Sequence, residues 1–296
     1  MNRATVHAAL FSVAALFSLN YIISKVGMRS FSPLSFAYLR VLGSALLLNV
    51  LPGAWKPLPN KDVTLLACLG VVTNQALFLA GLAFTSAHVA AILITTIPVF
   101  TLAIAIISGR ERATALKIGG ILLAGLGALL VVWGEGIEGS TRSLLGSLMI
   151  VGNSLSYSFY LVLSKPVMAM HASRLVLARM FAIACVIMLP LCAWPLAHER
   201  FGAIPATAWW SLAAVIAGPT VLAYVINGWS LRHADSSLVA TYVYVQPVLT
   251  LFLAAFLLGE EIRRIAIVAG ILIFTGVWLS QLPVPLTPQR GERGQG

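Results

Sequence analysis

Charge is the scarcest component of this chain. Asp, Glu, Lys and Arg together make up 9% of its 296 residues, against roughly a quarter in a soluble globular domain. Cysteine is nearly absent too: Cys68, Cys185 and Cys192 all fall inside apolar segments, so they read as small packed hydrophobes and not as a disulfide framework or thiol metal site. No G-x-x-x-x-G-K-[ST] phosphate loop occurs, so nothing in the sequence points to ATP as a direct driver. H-E-x-x-H and G-x-S-x-G are missing as well. The five histidines, His7, His88, His171, His198 and His233, lie at or near the ends of apolar segments. A membrane enzyme would need a nucleophile with its base, a carboxylate pair or metal ligands at depth, and no such set is present. No enzyme activity, cofactor or metal is expected.

Apolar residues supply 59% of the chain, and the mean hydropathy is +0.95. That composition is expected of a polytopic membrane protein. About 20 apolar residues span a hydrocarbon core as a helix. Breaking the sequence at its charge, Pro and Gly clusters gives ten such segments, near 5–27, 33–51, 63–83, 86–108, 114–133, 144–167, 173–193, 208–231, 236–258 and 264–282. The first is read as a span and not as a signal peptide, because its apolar run is too long and no small-residue cleavage site precedes a soluble domain. The tail 284–296 is rich in Pro, Gly and charge and is expected to be a disordered cytoplasmic extension. Of the 19 Lys and Arg, twelve fall on the side holding both termini and seven on the other, which places both termini in the cytoplasm. The net charge of +10 is then topogenic, meeting anionic lipid and not nucleic acid.

The second half echoes the first. A shift of 149 residues matches Pro98 to Pro247, Val99 to Val248, Thr101 to Thr250, Glu111 to Glu260 and Gly127 to Gly276. The opening spans agree at a slightly different shift, "FSLNYIISK" at Phe17 to Lys25 with "YSFYLVLSK" at Tyr157 to Lys165, each followed by an arginine one span later, Arg40 or Arg179. Five spans per half is an odd number, so the second copy must insert upside down. The expected fold is all-α integral membrane: ten transmembrane helices as two inverted five-helix repeats, 1–135 and 136–283, around a central cavity.

These features, with "PVxTL" followed by "GxE" at each fourth-to-fifth helix junction, resemble the EamA-type drug/metabolite transporters over nearly the whole chain. Gly109-Arg110-Glu111 departs from the Gly-Glu pair that Gly259-Glu260 keeps. The resemblance implies a multi-pass plasma or inner-membrane carrier that exports small metabolites, often amino acids, with aromatic amino-acid exporters among the members. Exporters of drugs or nucleosides are the alternative, and a non-transporting receptor or scaffold is the alternative from another class. The partners expected are a small-molecule substrate and the lipid bilayer; a monomer is plausible and the sequence leaves the oligomeric state open.

Polar groups at membrane depth are costly unless they face protein or a water-filled cavity, so they are the candidate site. The substrate-binding candidates are Asn20, Asn74, Gln75, Thr95 and Thr96 in the first half. In the second half they are Tyr157, Tyr160, Tyr224, Asn227, Tyr244 and Gln246. The amides carry the strongest case, since an amide facing lipid leaves donors and acceptors unmade; the tyrosines offer faces for a planar substrate. Arg40 and Arg179, about 10 Å into their helices, are either snorkelling cations or an anion clamp. Pro98 and Pro247 are a symmetric pair of kinks, read as gating elements or simple packing bends. None of the nine acids lies in the middle third of a span, so no carboxylate proton relay is evident and facilitated export or exchange is expected.

Overall fold

The computed structural model describes residues 3–50, 60–109, 114–137, 140–234, 239, 242–259 and 264–281. No strand occurs among them. Helices α1 (Arg3–Gly27) and α2 (Pro33–Val50) are followed by α3 (Asn60–Ala67) and α4 (Asn74–Phe84), joined end to end through a π-helical stretch at Cys68–Thr73. Next come α5 (Ala87–Ile94), α6 (Ile97–Ile107) and α7 (Ala115–Ile137). The second half runs through α8 (Thr141–Met170), α9 (Ser173–Ala197), α10 (Ala206–Val215), a second π-helical stretch at Ile216–Leu222, α11 (Ala223–His233), a 3-10 turn at Tyr242–Tyr244, α12 (Val245–Leu258) and α13 (Arg264–Gln281). Seven of the helical stretches among the described residues are long and apolar enough to cross a membrane; three more, Ala115–Leu130, Tyr242–Leu258 and Ile267–Gly276, are apolar but shorter. The tail 284–296, together with Glu111 and Glu260, lies outside the described residues.

The solvent logic is reversed relative to a soluble protein. Leu122, Leu126 and Leu129 on α7, Phe252 and Phe256 on α12 and Ile271 and Trp278 on α13 are exposed, while Asn20, Arg40, Gln75, Asn153, Asn227 and Gln246 are buried. Backbone polar groups in hydrocarbon must be satisfied internally, which is why helices dominate. Helix ends are closed by side chains and glycine: Ser86 and Ser140 accept from the Val89 and Ser143 amides at the starts of α5 and α8. Gly109 and Gly259 turn left-handed, φ 68° and 67°, where α6 and α12 stop.

The fourth expected span is broken and not merely kinked. Thr95 and Thr96 separate α5 from α6, and Pro98 is the second residue of α6, where its missing N–H would have had no intrahelical partner anyway. Hydroxyls reinforce the carbonyls around this break. Thr95 Oγ1 donates to the Ile92 carbonyl, Thr96 Oγ1 to Leu93 at 2.7 Å, and Ser158 Oγ from α8 to Ile97 at 2.9 Å. On the other side of the molecule, Ser18 Oγ of α1 donates to the Gln246 carbonyl at 3.3 Å, beside Pro247. Ser18 and Gln246 are the residues that the 140- and 149-residue shifts pair with Ser158 and Ile97.

Two further contacts between the halves obey the same arithmetic. Helices α7 and α13 touch at Gly127, whose α-hydrogens face Ala269 and Ile273, and at Gly276, which faces Gly120 and Ala124. The second set is the first with 149 residues exchanged between the helices, and it runs antiparallel. Near the centre, Gln75 Nε2 reaches Tyr224 Oη at 3.5 Å, and these two residues are themselves 149 apart.

Candidate functional site

A cavity of about 730 Å3 of space between atoms, counting its open mouth, lies where the two halves meet. Helices α1, α2, α4, α8, α11 and α12 all contribute walls. Leu10, Val13, Ala14 and Phe17 of α1, Phe78 of α4 and Leu161 of α8 form apolar surface; Tyr21, Tyr157, Tyr224 and Tyr242 add rings; Asn20, Asn74, Gln75, Asn153, Asn227 and Gln246 add amides. Arg40 is the one charged side chain among the described lining residues. An apolar pocket carrying a few convergent polar groups is the usual form of a small-molecule site.

The polar groups are tied to one another across the halves. Tyr224 Oη lies 3.2 Å from both the Gly70 carbonyl and Asn74 Oδ1 and accepts from Gln75 Nε2. Asn227 Nδ2 donates to Tyr157 Oη at 3.2 Å, and Tyr21 Oη to Gln246 Oε1 at 3.4 Å. Asn153 Nδ2 donates to the Asn74 carbonyl at 2.8 Å, where the π-helical stretch gives way to α4. The rings pack edge to face: Tyr21 with Phe78 at 5.3 Å between centroids, and Phe17 and Phe181 on Tyr224 at 6.1 and 5.6 Å. Such T-shaped pairs fix ring orientation as well as burying area.

Arg40 is 2% exposed. Its Nε donates to Thr220 Oγ1 at 2.6 Å. Thr220 in turn donates its one hydroxyl proton to the Val215 carbonyl, five residues back, at 2.8 Å, so its lone pairs are left for the guanidinium. That i−5 reach belongs to the wide π-helical turn around Pro219. Arg40 Nη1 is buried without a hydrogen-bond partner among the described residues, as is Gln75 Oε1.

The sequence profile of the EamA-like transporter family matches residues 5–133 and 144–282. The chain belongs to the EamA-like transporter family. An uncharacterized transporter from Archaeoglobus fulgidus is 27% identical over 95% of this chain and 98% of its own length. The inner membrane transporter YedA of Escherichia coli K12, also uncharacterized, is 25% identical over 91% of this chain and 88% of its own. A WAT1-related protein of Arabidopsis thaliana is 24% identical over 94% and 84%. A crystal structure of a protein 15% identical in sequence superposes with a TM-score of 0.68, covering 95% of this chain and 98% of that one, and so shares the fold.

Within this EamA-like transporter, the cavity collects Asn20, Asn74, Gln75, Tyr157, Tyr224, Asn227, Gln246 and Arg40 from the set expected from sequence. Thr95, Thr96, Tyr160, Tyr244, Arg179, Pro98 and Pro247 are not among its lining residues. The two threonines spend their hydroxyls on the break before Pro98. Tyr160 instead lies over Gly70, where an added Cβ would come within 2.5 Å of its ring. Tyr244 packs against Phe274, 5.5 Å between centroids. Arg179, on α9, is only partly buried. Sequence reasoning missed Phe17, Tyr21 and Phe78, aromatic residues in aromatic-tolerant apolar spans where nothing distinguishes a wall from a core.

Proposed function

We propose that this transporter is a secondary carrier in the cytoplasmic (inner) membrane that exports small metabolites, amino acids and aromatic ones among them, by alternating access of two inverted five-helix repeats. The observation that carries the reading is the cavity itself, closed by side chains from both halves and lined by paired amides and aromatic rings. Inversion is supported by the α7–α13 contact. Equivalent helices that pack antiparallel through exchanged residues are related by a two-fold axis lying in the membrane plane, whereas parallel repeats would leave them parallel. Ser18 with Gln246, Ser158 with Ile97, and Gln75 with Tyr224 fit the same axis.

The cavity is not symmetric, and its asymmetry supports a one-sided state. Leu10, Val239 and Tyr242 line it, while their counterparts Ile150, Ala90 and Leu93 do not. The opening therefore lies toward the start of α1, where His7 Nδ1 meets Tyr242 Oη at 2.6 Å. With cytoplasmic termini this is the loading state of an exporter. Reconstitution in liposomes with labelled amino acids, nucleosides and cationic drugs tests the proposal: protein-dependent flux of amino acids is expected, and absence of flux for every class refutes it.

A further inference from the structure

We infer that the group this site selects is a single carboxylate docked on Arg40, and that the substrate class is the amphipathic monocarboxylates, for which an α-ammonium is dispensable. The inference rests on the carrier reading above and narrows it. Four observations support it. Arg40 is the one charge among the described lining residues, so an empty cavity holds one positive charge and a ligand with one negative charge neutralises it. Its guanidinium is held by the Thr220 hydroxyl on Nε, while Nη1 lacks a partner among the described residues; an unmet charged donor at 2% exposure is expensive, and a carboxylate oxygen meets it with a charge-assisted bond. Thr220 is locked as acceptor by its own bond to Val215, so the arginine is presented and not free to snorkel. No acidic side chain is among the described lining residues, which leaves an ammonium with only neutral acceptors such as Gln75 Oε1.

The charge count also separates a carboxylate from a phosphate. A phosphate monoester near neutral pH carries close to two charges and three acceptor oxygens. One guanidinium with one unmet Nη1 matches the smaller anion. The rest of the ligand would lie along Phe17, Phe78, Tyr157 and Leu161, so the body is apolar or aromatic.

The test compares four probes that share a phenyl body: 3-phenylpropionate, L-phenylalanine, L-phenylalaninamide and phenethylamine. Thermal stabilisation of the full-length protein in detergent is measured against concentration for each. The two carboxylates are expected to act at roughly tenfold or more lower concentration than the amide and the amine. Arg40→Gln should erase that preference, Arg40→Lys should keep part of it, and Thr220→Val should weaken carboxylate binding while leaving the charge in place. Equal potency of amide and carboxylate, or a folded Arg40→Gln protein that still prefers the carboxylates, overturns the inference; the probe series on the unmutated protein decides the matter if that variant does not fold. Failure of all four probes to bind overturns it also. The carrier reading stands or falls separately, on flux of labelled substrates in liposomes.

Discussion

Replacing Gly276 by Ala tests the two-fold packing of α7 on α13 at its tightest point. The added Cβ would stand 2.5 Å from the Ala124 amide nitrogen and 2.6 Å from the Gly120 carbonyl oxygen. Ordinary van der Waals contact begins near 3.4 Å, and both obstacles are backbone, so no rotamer change relieves them. The helices must part by about 0.9 Å along their shared seam, forfeiting dispersion contacts over its length. Overpacking of this kind costs about 1–3 kcal/mol, and rigid backbone puts it at the upper end. Alanine returns about 0.5–1 kcal/mol of helix propensity, leaving a net loss of about 2 kcal/mol. Gly127→Ala, which meets the Ala269 carbonyl at 2.8 Å and Ile273 Cγ1 at 2.7 Å, should lose a similar amount. The double variant should lose less than the sum, because the first substitution has already opened the seam that the second needs. Gly125→Ala on the same helix meets nothing within 4 Å and should stabilise slightly. Melting temperatures in detergent read all four proteins. A Gly276→Ala protein as stable as Gly125→Ala would refute the seam and the antiparallel pairing argued from it.

Asn227→Ala removes the donor to Tyr157, and Gln246→Ala the acceptor from Tyr21; each should weaken substrate binding about tenfold, read as the concentration giving half-maximal flux, and unchanged values in both would take these amides out of the site. Pro98→Ala and Pro247→Ala should change transport rate by roughly threefold or more with little change in membrane abundance, as expected of hinge positions; loss of abundance at constant specific rate would make the prolines fold determinants only. In a background with Cys68, Cys185 and Cys192 replaced, a cysteine at Tyr242 should react with a membrane-impermeant thiol reagent from the cytoplasmic face, and one at its counterpart Leu93 should resist it from both faces; the reverse pattern would invert the assigned state or orientation.

Much of the cavity lining was legible because an amide in an apolar span has few tolerable surroundings. Asn20, Asn74, Gln75, Asn227 and Gln246 all line the cavity for that reason. Hydroxyls are harder, since a threonine can satisfy itself on its own helix, and Thr95 and Thr96 do so on the last turn of α5, just before Pro98. Arg40 and Arg179 look alike in sequence and differ in the fold: Arg40 is buried, bonded to Thr220 in a π-helical turn and lines the cavity, whereas Arg179 is only partly buried and does not line it. The broken fourth helix was invisible for a different reason: a proline two residues into a new helix and a proline kinking an old one leave the same letters. The all-helical, multi-span character was readable from hydropathy. The seam between α7 and α13 was not, although Gly127 and Gly276 had already appeared as a matched pair.

A π-helical turn accommodates one residue more than the α-helical turn it replaces, and such turns are rare enough that two in one chain call for a reason. Here they occupy Cys68–Thr73 and Ile216–Leu222, the same place in each half once 149 residues are subtracted. Independent insertion at matching sites in the two halves would be a coincidence. A single insertion in an ancestral five-helix gene, copied when that gene duplicated, accounts for both. On the proposed inverted repeat, the ancestor would have worked as an antiparallel pair of identical chains with its widened turn facing the shared axis, and the two copies now differ there, with Thr220 in one and Val71 in the other.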